Sequence, residues 1–117
     1  MALSNLTIWH NPRCTKSRQT LALIEASGAT PTIRLYLQDP PSAAEIEAVA
    51  SSLELPLISM MRTREPAFKD AGMTKTSDDA NLLAAMAANP ILIERPIVIA
   101  GPHAVIGRPP EAVQALL

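Results

Sequence analysis

The chain has a single cysteine, Cys14, in 117 residues. That excludes an internal disulfide framework. The histidines are only two, His10 and His103, and with Cys14 they lack zinc-ligand spacing, so no metal site is expected. Aromatic residues make up 3% of the chain, so a core must be built from Leu, Ile, Ala and Met. Charge of one sign is also missing: 10 basic against 11 acidic residues leave a net charge of −1, with no basic block and no acidic tail. Nothing in that balance favours nucleic acid or an anionic membrane. No apolar run approaches the roughly 20 residues of a membrane span. Residues 1–5 lack a charged start and an apolar stretch, so no signal peptide is read there. The composition describes one domain with room for a core, expected in the reducing cytoplasm.

Proline is what the chain does have: eleven residues punctuate it. Leu6, Thr7, Ile8 and Trp9 form a short apolar, partly β-branched run that predicts a buried strand. From Thr15 onward Leu21 and Ile24 recur at helical spacing up to Gly28, a C-terminal stop. Residues 32–37 predict a second strand, ended by Asp39-Pro40-Pro41. Ser42-Ala43-Ala44-Glu45 has the capping-box pattern, and Ile46, Val49, Ala50 and Leu53 give the helix behind it an apolar face. Short helices are expected over residues 55–62, entered at Pro56, and 65–71, entered at Pro66 and closed by Gly72. Thr76-Ser77-Asp78-Asp79 caps a longer helix with Leu82, Leu83 and Met86 facing inward, stopped at Asn89-Pro90. Ile97-Val98-Ile99 and Ala104-Val105-Ile106 predict two strands about a Gly101-Pro102 turn, where His103 reads as ordinary surface. Pro109-Pro110-Glu111 opens a last helix, with Val113, Leu116 and Leu117 packing back. Met60, Met61, Met73 and Met86 read as core.

An early strand–helix–strand unit forms a parallel pair and a late hairpin an antiparallel one. The expected fold is therefore α/β: a mixed sheet of about four strands flanked by helices. Cys14 falls where the first strand turns into the first helix. The unpaired N–H groups and the positive end of a helix stabilise an anion there. Flanked by Arg13, Lys16 and Arg18, the thiol should ionise more readily than a free one, whose pKa is roughly 8.5. The same geometry would hold a small oxyanion.

The stretch His10-Asn11-Pro12-Arg13-Cys14-Thr15-Lys16-Ser17-Arg18 resembles the H-x3-C-x3-R signature of ArsC-like arsenate reductases of the glutaredoxin-dependent kind. Glu94-Arg95-Pro96-Ile97-Val98 is similar to the family segment that sets an arginine before a cis-proline and a strand. Ile106-Gly107-Arg108-Pro109 and Met60-Met61-Arg62 match the places of two further arginines. The resemblance covers nearly the whole chain and implies a thioredoxin-like fold. It also implies that Cys14 attacks arsenate, that Arg62, Arg95 and Arg108 surround the oxyanion, and that His10 and Arg18 tune the thiolate. Glutathione and glutaredoxin would resolve the adduct from outside, with no cofactor bound; a monomer is expected.

The chemistry stands beside the resemblance. Reducing arsenate through a thiol requires a thiolate, neutralised oxygens and an outside reductant. Arginine forks suit a tetrahedral oxyanion. Plainer roles remain open at several positions. His10 could simply close the strand end with a hydrogen bond; Arg18 could be solvated, as Arg13, Lys16 and Arg34 are expected to be. Arg64 competes with Arg62, and Arg108 could serve the last helix. Two other functions fit. One is a monothiol enzyme acting on glutathione mixed disulfides. The other is an Spx-like regulator that binds RNA polymerase, although Ser17 stands where its redox-sensing members carry a second cysteine.

Overall fold

The computed structural model describes residues 5–117; residues 1–4, on which the signal-peptide reading partly rests, lie outside the described residues. The chain folds as two compact units, one running through Asp39 and resuming over Arg95–Leu117, the other spanning Pro40–Glu94.

The first unit is built on a four-stranded mixed sheet in the order β2-β1-β3-β4. Strand β1 (Leu6–Trp9) pairs parallel with β2 (Thr32–Arg34) and antiparallel with β3 (Ile97–Ala100), which pairs antiparallel with β4 (His103–Ile106). Helix α1 (Thr15–Ala26) connects β1 to β2. It ends as expected: Gly28 follows at φ 91°, a left-handed position that a side chain resists. Because side chains alternate across a strand, Leu6, Ile8, Val98, Ala100 and Val105 share one face of the sheet. That face packs against Ile24, Leu21 and Leu23 of α1 and against Val113, Leu116 and Leu117 at the C-terminal end. The parallel β1–β2 pair and the antiparallel β3–β4 hairpin are those the sequence predicts, and the antiparallel β1–β3 pairing joins them into one sheet.

Three expectations in this unit need correction. Strand β2 stops at Arg34, not residue 37, because the backbone turns: Gln38 and Asp39 both donate to the Leu35 carbonyl, at 2.9 and 2.8 Å. Arg34 fastens that turn through the Asp39 carboxylate at 3.4 Å. Tyr36 is nevertheless fully buried while Leu37 is 41% exposed, so the alternation continues through a turn. The last helix is a 3-10 helix, Pro110–Leu116. Two prolines at its start remove donors, and its bonds run three residues apart, Ala112 N–H to the Pro109 carbonyl at 2.9 Å. His103 begins β4 instead of lying in the turn.

The second unit is helical. Helix α2 (Ala43–Leu53) carries a complete capping box: Ser42 Oγ accepts from Glu45 N–H at 3.2 Å while Glu45 accepts from Ser42 N–H at 3.0 Å. Its Ile46, Val49 and Ala50 are buried, whereas Leu53 is only half-buried. A 3-10 helix at Leu57–Met60 replaces the longer element expected there, with Pro56 at its start. Helices α3 (Pro66–Asp70) and α4 (Asp79–Ala88, capped by Asp78) follow. Leu82, Ala85 and Met86 are the buried face of α4, and Leu83 is half-buried. Met60, Met61 and Met86 are core residues; Met73 is half-buried. Among the described residues no helix is long and apolar enough to cross a membrane.

Ile24 is the apolar anchor of α1, with 0% of its surface exposed. Ile24→Ala is expected to lower unfolding free energy by about 2–5 kcal/mol. Urea unfolding at neutral pH checks it; a loss below about 0.5 kcal/mol, the scale of surface substitutions, would contradict this packing.

Candidate active site

The stretch from His10 to Cys14 separates β1 from α1, and its hydrogen bonds make a tight corner. Asn11 Oδ1 accepts from Arg13 N–H at 3.0 Å, and the Asn11 carbonyl accepts from Cys14 N–H at 3.0 Å. An asparagine side chain bonded two residues ahead in this way stands in for a backbone turn. His10 N–H ties the start of the corner to the Arg34 carbonyl at 2.8 Å. The chain then reaches Cys14 in extended conformation (φ −93°, ψ 122°), and the Cys14 carbonyl accepts the first helical bond from Arg18 N–H at 3.0 Å. Cys14 is therefore the N-cap residue of α1, half-buried, at the end rich in unpaired N–H groups.

Opposing influences act on its sulfur. Burial is the largest and pushes the pKa up. Against it act the Ser17 N–H, the Arg95 charge, the Lys16 N–H and a hydrogen bond from Arg108, and together they hold the thiol below its ordinary range. Arg108 Nη1 lies 3.9 Å from Cys14 Sγ and donates to the Arg95 carbonyl at 3.1 Å. Arg95 and Arg108 both precede cis prolines, Pro96 and Pro109.

His10 and Ser17 form a buried pair beneath the corner. His10 Nδ1 and Ser17 Oγ are 2.7 Å apart, and the same oxygen accepts from Asn11 N–H at 3.0 Å. Burial first, then the nearby Arg18 charge, lower the His10 pKa, with Glu25 pulling the other way. His10 is thus a neutral imidazole at neutral pH. Arg18 closes the corner from outside, donating to the Pro12 carbonyl at 2.8 Å and to Thr15 Oγ1 at 3.2 Å.

Of the residues predicted from sequence, the structure brings together Cys14, Arg95 and Arg108. It joins His10 to the cysteine loop through Ser17 and gives Arg18 to that loop's carbonyl. Arg62 belongs to the second unit, where it pairs with Glu65 at 2.9 Å and donates to the Ile91 carbonyl at 3.2 Å; Arg64 is exposed. In the sequence Ser17 reads only as the place of a missing cysteine. The signal that could have found it is a small polar residue on the helix face that carries Ile24. Among the described residues no three His, Cys, Asp or Glu side chains gather to hold a metal.

A thiol whose ionisation is eased at a helix start, with the Arg108 guanidinium 3.9 Å away and the Arg95 charge acting on it, can attack an electrophile that arrives as an oxyanion. Comparison with known proteins shows the family and the fold. The family model described as the ArsC family matches residues 9–116. The arsenate reductase of Haemophilus influenzae is 44% identical over 115 residues, covering 97% of this chain and 99% of its own. That of Neisseria meningitidis serogroup A is 38% identical over 117 residues, covering 98% of this chain and 100% of its own. The solved structure of the arsenate reductase from Vibrio cholerae superposes with a TM-score of 0.94 at 42% identity, covering 97% of this chain and 98% of that one. The thioredoxin-like reading of the sheet is thereby established.

Two measurements test the site. Iodoacetamide alkylation of Cys14 followed against pH should show a midpoint below that of a free thiol. Since a lowered pKa means the thiolate persists at lower pH, reactivity is lost only as pH falls through that lowered midpoint. Arg108→Ala should raise the midpoint; an unchanged curve would remove Arg108 from the site. Ser17→Ala leaves a buried imidazole nitrogen and the Asn11 N–H without their partner, and should cost about 1–3 kcal/mol in denaturant unfolding.

Proposed function

The chain belongs to the ArsC family, and on that premise we propose that it reduces arsenate to arsenite with glutathione and glutaredoxin as the outside reductants. The observation that carries the reading is the Arg108 guanidinium 3.9 Å from the Cys14 sulfur, with the Arg95 charge acting on the same atom. A thiolate and the cations that would neutralise its substrate's oxygens stand at one place.

In this reading Cys14 attacks the arsenic of arsenate, and an oxygen leaves as water after protonation. Arg95 and Arg108 hold the remaining oxygens, because a guanidinium keeps its charge and presents paired donors to a tetrahedral anion. A glutathione thiolate then attacks the Cys14 sulfur. The sulfur–arsenic bond breaks with its electron pair left on arsenic, which departs as arsenite. Cys14 remains as a mixed disulfide, and glutaredoxin with a second glutathione returns it to the thiol. A cleft of about 250 Å³ beside residues 10–13, bounded also by Leu35, Leu37 and Gln38, offers such a thiol an approach to the loop. His10 stays neutral and holds the loop through Ser17; Arg18 fastens it from the other side and adds positive field.

NADPH oxidation coupled through glutathione reductase, glutaredoxin and glutathione tests the proposal. Oxidation should depend on arsenate and fall to background in Cys14→Ser with the circular-dichroism spectrum unchanged. No response to arsenate, with Cys14 still titrating below an ordinary thiol, would reject arsenate as substrate and favour a monothiol enzyme acting on glutathione mixed disulfides.

A further inference from the structure

Thr20 is a polar side chain with 0% of its surface exposed, on the inner face of α1 and away from the reacting sulfur. Its hydroxyl donates to the Lys16 carbonyl at 2.8 Å and lies 3.4 Å from the Gly107 carbonyl. Gly107 is buried too, and its N–H continues the β3–β4 ladder to the Pro96 carbonyl at 2.9 Å. A Cβ placed on Gly107 would lie 2.6 Å from Thr20 Oγ1, 2.8 Å from Pro96 Cγ and 3.0 Å from Thr20 Cγ2. None of these neighbours is the end of a flexible chain. Threonine is β-branched and stiff about its first torsion, and the proline ring is fixed. Glycine is therefore required here by the close approach of α1 to the end of β4. The next residue is Arg108, whose Nη1 sits between the Arg95 carbonyl at 3.1 Å and Cys14 Sγ at 3.9 Å.

We propose that Thr20 and Gly107 are positioning residues: their contact, closed by Pro96, seats the backbone that aims the Arg108 guanidinium at the Cys14 sulfur. Helix α1 thus bears on the site twice. Its first turn supplies N–H groups to the sulfur, and its inner face sets the height of the arginine opposite. The inference rests on Cys14 as the reacting sulfur, and its test reads that sulfur without arsenate, so a chain inert to arsenate can still pass it.

The experiment is the pH midpoint of Cys14 alkylation by iodoacetamide in folded protein, in the Arg108 and Arg108→Ala backgrounds. Gly107→Ala should raise the midpoint by about half a unit, roughly a threefold loss of thiolate below the midpoint. Adding Thr20→Ala removes two of the three close contacts and should recover most of that change. In the Arg108→Ala background Gly107→Ala should shift nothing further, as a double-mutant cycle requires of residues acting through one another. A wild-type midpoint in Gly107→Ala, or an equal shift without Arg108, overturns the proposal. Should Gly107→Ala fail to fold, Thr20→Ala alone carries the test, since it empties the seat beneath Gly107. Its shift must likewise disappear without Arg108, and its absence with Arg108 present is equally fatal.

Discussion

Helix α1 is held by its inner face, and the groups that hold it also decide what its N-terminus meets. Ile24 anchors it to the apolar face of the sheet. Above Ile24 the face turns polar without leaving the interior: Thr20 lies against Gly107, and Ser17 lies against His10 and the Asn11 N–H. A buried hydroxyl left without partners costs a sizeable fraction of a small domain's stability. Ser17 finds its partners only when the helix sits at one depth and one rotation, whereas Thr20 is already bonded to the Lys16 carbonyl of its own helix and its packing against Gly107 sets how close the helix can come. The constraint is geometric before it is catalytic. Once it is met, Cys14 necessarily caps the helix.

The balance at the sulfur follows. Burial opposes the thiolate more than any single neighbour favours it. Two opposite charges about 4 Å apart in water attract by about 1 kcal/mol, so one exposed guanidinium cannot reverse burial unaided. The thiolate is favoured because several modest contributions share one direction, with the Ser17 N–H ahead of the arginines. The site thus depends on backbone placement and on side-chain charge together. Arg18 lies close in sequence yet serves the loop: its guanidinium is occupied by the Pro12 carbonyl and Thr15.

Much of this is legible in the sequence wherever local rules decide the outcome. The run Leu6 to Trp9, the helix stop at Gly28 and the Ser42–Glu45 capping box each depend on residues adjacent in the chain, and the structure has all three. Strand β2 reads too long from sequence, since Leu35 and Tyr36 keep an apolar pattern through a turn fixed by Arg34 and Asp39. Cys14, Arg95 and Arg108 are found through the thiol's place at a helix start and through family resemblance. Ser17, Thr20 and Gly107 are not. Small polar residues on an inner helix face look like solvated ones until the partner that fills their hydrogen bonds is known, and those partners lie 7 and 87 positions away.

Ser17 occupies the place where a second cysteine would make a C-x-x-C pair. Its oxygen is fully buried and committed to two partners. A sulfur there would be larger, a weaker acceptor and turned away from solvent. The sequence holds no second cysteine, so under the proposed reading an adduct on Cys14 is released by a thiol from another molecule. The lifetime of such an adduct is then a bimolecular quantity: it lengthens as the surrounding thiol pool is diluted and shortens as that pool is replenished.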